Sequence, residues 1–105
     1  MPTENWIDAM ATADLPKDDV VCVEMEGRDL AIYTVGGDVY ATDNLCTHGH
    51  ARLCDGFLEG HAIECPLHQG KFDVRNGMPL CEPVTEPVRS YPVQIAGARV
   101  LVRLD

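Results

Sequence analysis

Hydrophobic residues recur at every second position through much of this chain, and no stretch carries the spacing of an amphipathic helix. Val21, Val23 and Met25 share one face of a predicted strand that ends at Glu26-Gly27. Leu30, Ile32 and Thr34 then alternate with Ala31, Tyr33 and Val35 as far as Gly36-Gly37. Two glycines supply the positive φ of a tight turn, so Val39-Tyr40-Ala41-Thr42 is expected to pair back as a hairpin. Near the C-terminus Tyr91, Val93 and Ile95 alternate, Ala96-Gly97 turns, and Val100, Val102 and Leu104 return. The pattern predicts an all-β fold whose base is an antiparallel sandwich or small barrel.

The middle of the chain departs from this regularity. From about Asp43 to Val84 there are only short strand candidates, at Phe57-Leu58-Glu59, Ala62-Ile63-Glu64 and Lys71-Phe72-Asp73. Asn76-Gly77 marks a turn, and Met78-Pro79-Leu80-Cys81-Glu82-Pro83 reads as a stiff, proline-bounded loop. The expectation is a single domain over residues 1–105, in which residues 43–84 form a lobe inserted between strands of the base.

That lobe holds the candidate chemistry. Cys46-Thr47-His48 is followed, after sixteen residues, by Cys65-Pro66-Leu67-His68. Each motif opens with a thiol and closes with an imidazole. This is the ligand set of a Rieske [2Fe–2S] centre, in which two cysteines hold one iron and two histidines the other. Each loop must then give one ligand to each iron, which the mixed pairs allow. Structural zinc also takes two Cys and two His, but its pairs usually leave two or more residues between ligands. Only Thr47 separates Cys46 from His48. Zinc remains the alternative.

Composition narrows the partners. The formal net charge is −9, which disfavours nucleic acid and anionic membrane surfaces and suits a basic docking face on another protein. No apolar run approaches the length of a membrane span, and Met1 to Trp6 carry neither a basic nor an apolar leader. A cytoplasmic protein is expected. Five cysteines without an export signal argue against a disulfide framework. Cys22 lies in the run Val20-Val21-Cys22-Val23 and is expected to be a small buried hydrophobe; Cys54 and Cys81 are expected to pack, with oxidation-sensitive thiols as the alternative.

The run Cys46-Thr47-His48-Gly49, the turns at Asp55-Gly56 and Glu59-Gly60, Cys65-Pro66-Leu67-His68-Gln69-Gly70 and Phe72-Asp73 together resemble a Rieske-type ferredoxin. The likeness is greatest to ferredoxin components of bacterial aromatic ring-hydroxylating dioxygenases of the naphthalene dioxygenase kind. The resemblance implies a Rieske fold, one [2Fe–2S] cluster per chain and no catalytic residues. It implies a one-electron carrier between an NAD(P)H-dependent flavoprotein reductase and a terminal oxygenase. Cys46 and Cys65 would ligate the inner iron, and His48 and His68 the outer one. A small subunit of a larger reductase, such as the Rieske-fold subunit of some nitrite reductases, is a further reading.

Departures from the respiratory Rieske proteins are informative. Their loop-linking cysteines fall here on Ala51 and Leu67, and their Ser and Tyr hydrogen-bond donors on Gly70 and Phe72. Fewer donors toward sulfur stabilise the reduced cluster less, so a potential near roughly −150 mV is expected. Gly49 and Gly70 are expected to let the loop backbones come close. His50 and His61, with Asp55, offer the elements of a mononuclear iron site, but such sites lie in a separate domain of the family's oxygenases. Asp55, Glu59, Glu64 and Glu82, with Arg52 and Lys71 among them, are expected to rim the loops and steer a basic partner.

Overall fold

The computed structural model describes residues 6–47, 51–67, 69–82 and 84–104. His48, His50, His68 and Gly49 lie outside the described residues. Among the described residues eleven strands, β1 (Trp6–Ala11), β2 (Val20–Met25), β3 (Arg28–Val35), β4 (Asp38–Asp43), β5 (Phe57–Glu59), β6 (Ala62–Glu64), β7 (Lys71–Asp73), β8 (Pro79–Cys81), β9 (Ser90–Tyr91), β10 (Val93–Ala96) and β11 (Arg99–Arg103), form three antiparallel sheets. Among the described residues there is no α-helix, only two 3-10 turns at Thr12–Asp14 and Leu53–Asp55, and no helix long and apolar enough to cross a membrane.

The sheet β2-β3-β4-β9 is the middle layer, and period-two alternation gives it two buried faces. Leu30, Ile32 and Ala41 point to the sheet β1-β11-β10 and pack with Val102, Leu104 and Tyr91. Ala31 and Tyr33 point the other way and pack with Ile63 and Phe72 of the sheet β5-β6-β7-β8 and with Val74, which follows β7. All of these lie in the core. Each fully buried Leu, Ile or Phe contributes about 1.5–3 kcal/mol to holding the layers together. The one hydroxyl that Tyr33 carries into this core meets Thr42 Oγ1 at 2.8 Å. The sheet β5-β6-β7-β8 is an insertion between β4 and β9, which pair directly at Ala41–Tyr91 and Thr42–Ser90.

The hairpins sit where the turn residues put them. Val35 pairs with Asp38 across Gly36-Gly37, whose φ angles are 57° and 91°. Glu26, at φ 51°, and Gly27 turn β2 into β3 in the same way. One strand was missed, and three expectations need correction. β1 was not signalled, because a register shift between Asp8 and Met10 breaks its alternation. Met78 to Pro83 is not wholly loop: Pro79–Cys81 is an edge strand on β7, where a proline at the start of a strand forfeits no ladder bond. Cys22 is exposed rather than buried, since alternation along β2 sends it to the side opposite Val21 and Val23; Cys81 is exposed as well.

Candidate metal centre

Two hairpin tips carry Cys46 and Cys65, and they are closed alike. Cys46 donates its N–H to the Ala51 carbonyl at 2.9 Å, and Cys65 donates to the Gly70 carbonyl at 2.7 Å. In both, the cysteine bonds the residue five positions on, so each tip is a six-residue loop. The necks match too. A bridge between Leu45 and Arg52 supports the first loop, and the β6–β7 pair Glu64–Lys71 supports the second. The positions of His48 and His68 fall inside these two loops in the sequence, and their side chains lie outside the described residues.

The two thiols meet. Cys46 is 3% exposed and Cys65 fully buried, within a cluster that includes Leu53, Phe72, Val84 and Val88. Burial pushes the Cys65 thiol up to about 11; the Leu67 N–H, donated to its sulfur, acts against that rise, and the neighbouring Cys46 thiol adds to it. Two soft donors are thus held side by side, away from water, at the heads of twin loops whose sequences each supply an imidazole. This donor set fits the sulfur side of a mixed Cys/His iron–sulfur centre. Among the described residues no group of three or more His, Cys, Asp or Glu offers a separate metal site. His61 stands edge-on to the Tyr40 ring at 5.7 Å.

Residues with no signal in the sequence hold the loops in place. Fully buried Asn44, two positions before Cys46, bonds the far side of the first loop: Cys54 donates its N–H to Asn44 Oδ1 at 2.8 Å and Leu53 donates to the Asn44 carbonyl at 2.6 Å. Asp29 on β3 accepts from Arg52 Nε at 3.0 Å and Nη2 at 3.2 Å, and from Asn44 Nδ2 at 3.2 Å. The Arg52 hydrogen bond, aided by Asn44, holds the Asp29 carboxyl below its ordinary value against a smaller upward push from burial. Thr47 Oγ1 donates to the Glu86 carbonyl at 2.8 Å, tying the first loop to the segment that carries Val84 and Val88.

Glycines admit close approach at two places. A β-carbon on Gly70 would lie 2.5 Å from Val84 Cγ1, so Val84 fills the space that a side chain here would need. A β-carbon on Gly56 would lie 1.9 Å from the Glu64 carbonyl oxygen, so that turn packs directly on the neck of the second loop. Phe72 is fully buried beneath the loops. Of the expected acidic rim, Asp55, Glu59 and Glu82 are exposed, while Glu64 is half-buried and 4.0 Å from Lys71 Nζ. Leu45 and Leu67, beside the two cysteines, are also exposed.

A three-layer all-β fold with twin Cys/His loops defines a small iron–sulfur domain, and the comparisons agree. Residues 5–92 match the model of the Rieske [2Fe-2S] domain, and the chain belongs to that family. It is 60% identical over 103 residues to the ferredoxin component of the naphthalene 1,2-dioxygenase system of Pseudomonas aeruginosa, covering 98% of this chain and 99% of that protein. The solved ferredoxin of Sphingomonas yanoikuyae B1 is 39% identical, with a TM-score of 0.90 over 96% of this chain and all of that one. The complex of reduced oxygenase and oxidized ferredoxin in carbazole 1,9a-dioxygenase contains a chain 38% identical, with a TM-score of 0.88 over 96% of this chain and 94% of that one. Within its family this chain is a ferredoxin with a Rieske-type [2Fe–2S] cluster, a carrier of electrons rather than an enzyme.

Proposed function

We propose that this ferredoxin passes one electron at a time from an NAD(P)H-dependent flavoprotein reductase to the terminal oxygenase of an aromatic ring-hydroxylating dioxygenase system in the cytoplasm. Residues 1–105 act as one Rieske domain, with the cluster held by the lobe of residues 43–84. Cys46 and Cys65 hold the inner iron, and His48 and His68 the outer iron. The observation that carries this reading is the pair of six-residue loops, closed by equivalent hydrogen bonds, whose buried thiols face one another. When bound, the cluster supplies a one-electron couple.

The chain's own residues exclude water from the sulfur side through Leu53, Phe72, Val84 and Val88. Arg52, Asp29 and Asn44 fix the first loop, and the Leu67 N–H aims at the Cys65 sulfur. Exposed Leu45 and Leu67 give an apolar contact beside the cysteines, and exposed Asp55, Glu59 and Glu82 add charge that a basic partner can sense at a distance. Raising ionic strength should therefore slow electron delivery to the oxygenase.

Electron paramagnetic resonance of the purified protein, before and after dithionite, tests the assignment. A signal that arises only on reduction, with average g below the free-electron value, is expected of mixed His/Cys ligation. A sample silent in both states and containing zinc would overturn it.

A further inference from the structure

Cys22 and Cys54 are not accounted for by the electron-transfer site. They are 32 positions apart in the sequence, yet the 3-10 turn that carries Cys54 packs on β2, and the two thiols interact. Cys22 lies on the edge strand of the middle sheet, opposite Ala31, and so faces the same side as the cysteine loops. It is exposed, whereas Cys54 is half-buried. Asn44 directs Nδ2–H at the Cys54 sulfur from 3.2 Å, and the Cys54 N–H returns to Asn44 Oδ1, so this thiol is held in one position.

We propose that Cys22 and Cys54 are a vicinal thiol pair that a small-molecule disulfide, such as oxidised glutathione, converts to an intramolecular disulfide, joining the edge of the middle sheet to the base of the first cysteine loop. The exposed Cys22 thiolate attacks one glutathione sulfur, the glutathione S–S bond breaks, and one reduced glutathione leaves. The Cys54 thiolate then attacks the Cys22 sulfur of the mixed disulfide and expels the second glutathione. Two protein S–H bonds are lost, one S–S bond forms, and both electrons reside on the two released glutathione thiols. The groups around Cys54 fit it for the second step. Burial raises its thiol above the ordinary value, which slows direct oxidation, while the Asn44 hydrogen bond and the Arg52 guanidinium favour its thiolate once Cys22 is engaged.

The test incubates the cluster-loaded protein with oxidised glutathione, blocks free thiols with iodoacetamide and maps cysteine peptides by mass spectrometry. Most Cys22 should be recovered in a cross-link to Cys54 of the same chain, and the cross-link should reopen with excess reduced glutathione. In the Cys54→Ser variant, Cys22 should instead retain a glutathione adduct; in Cys22→Ser, Cys54 should stay unmodified. Because Cys22 is on the surface, its serine variant keeps the fold and serves as the control. Recovery of wild-type Cys22 as a glutathione adduct, as free thiol, or cross-linked to a second copy would overturn the proposal. None of these outcomes depends on which partners the ferredoxin serves.

Discussion

Asn44 grips Cys54 at both ends: Oδ1 accepts the Cys54 N–H at 2.8 Å, and Nδ2 reaches the Cys54 sulfur at 3.2 Å. Asn44 is itself fully buried at the root of the first cysteine loop, and the Cys54 atoms that it holds are half-buried. Asn44→Ala leaves the part-buried Cys54 N–H without its acceptor, which should cost about 1 kcal/mol. The variant should unfold at lower urea concentration than the wild type and lose its cluster faster on warming. Unchanged stability would mean that the loop does not depend on this side chain.

Gly56 and Gly70 should separate two kinds of crowding. At Gly70 the obstacle is the Val84 side chain, which can move or be shortened. Gly70→Ala should cost about 1–3 kcal/mol, the range for overpacking, and Val84→Ala in the same chain should recover part of that loss. At Gly56 the obstacle is the Glu64 carbonyl, part of the β6 backbone. Gly56→Ala should therefore be the more damaging change, with no side-chain remedy. Equal losses in denaturant titrations would contradict this division.

Acid should weaken the lobe through Asp73. Arg75 donates Nε and Nη2 to the two Asp73 oxygens at 3.0 and 2.9 Å, and the carboxyl is held below its ordinary value of 3.8, chiefly by that side-chain bond. A depressed carboxyl stabilises the fold fully above its unfolded value and loses that contribution as pH falls through the native one. Asp73→Asn should thus be less stable than the wild type at neutral pH, and the gap should narrow below about pH 4. A gap that stays constant down to about pH 2 would show that the carboxylate does not stabilise the fold.

The proposed ligands make a prediction about potential. With Gly70 and Phe72 in place of hydrogen-bond donors, voltammetry should give a value near roughly −150 mV, and a value well above zero would refute the argument. Replacing His48 or His68 by Cys should move the couple toward about −400 mV, the region of all-thiolate clusters. A variant that kept the original potential would not have lost a ligand.

The base was legible because strand alternation and turn chemistry are local. Gly36-Gly37 announced its hairpin and Glu26-Gly27 the end of a strand, and β5, β6 and β7 fall on the three short segments the sequence suggested. What escaped depends on context. The bulge near Asp8 hides the alternation of β1, and Pro79 disguises an edge strand as a loop. Cys22 misled because an apolar run was read as burial, although on an edge strand every second residue can face water. The motif pointed to Cys46 and Cys65, which the fold brings together, but nothing local marked Asn44, Val84 or Thr47 as their supports. Those roles arise from contacts between residues distant in sequence.

The inserted lobe leaves the base at Asp43 and returns at Ser90, and these ends are stitched by the Asp43 N–H donated to the Arg89 carbonyl at 2.8 Å. Strands that neighbour one another in a ladder lie only about 5 Å apart. The entire excursion therefore begins and ends at nearly the same point, as a plug-in cassette does. The covalent links of the lobe to the base thus sit at a single strand pair, and what orients the lobe is its packing on Ala31 and Tyr33 and the grip of Asp29 on Arg52 rather than the junction itself.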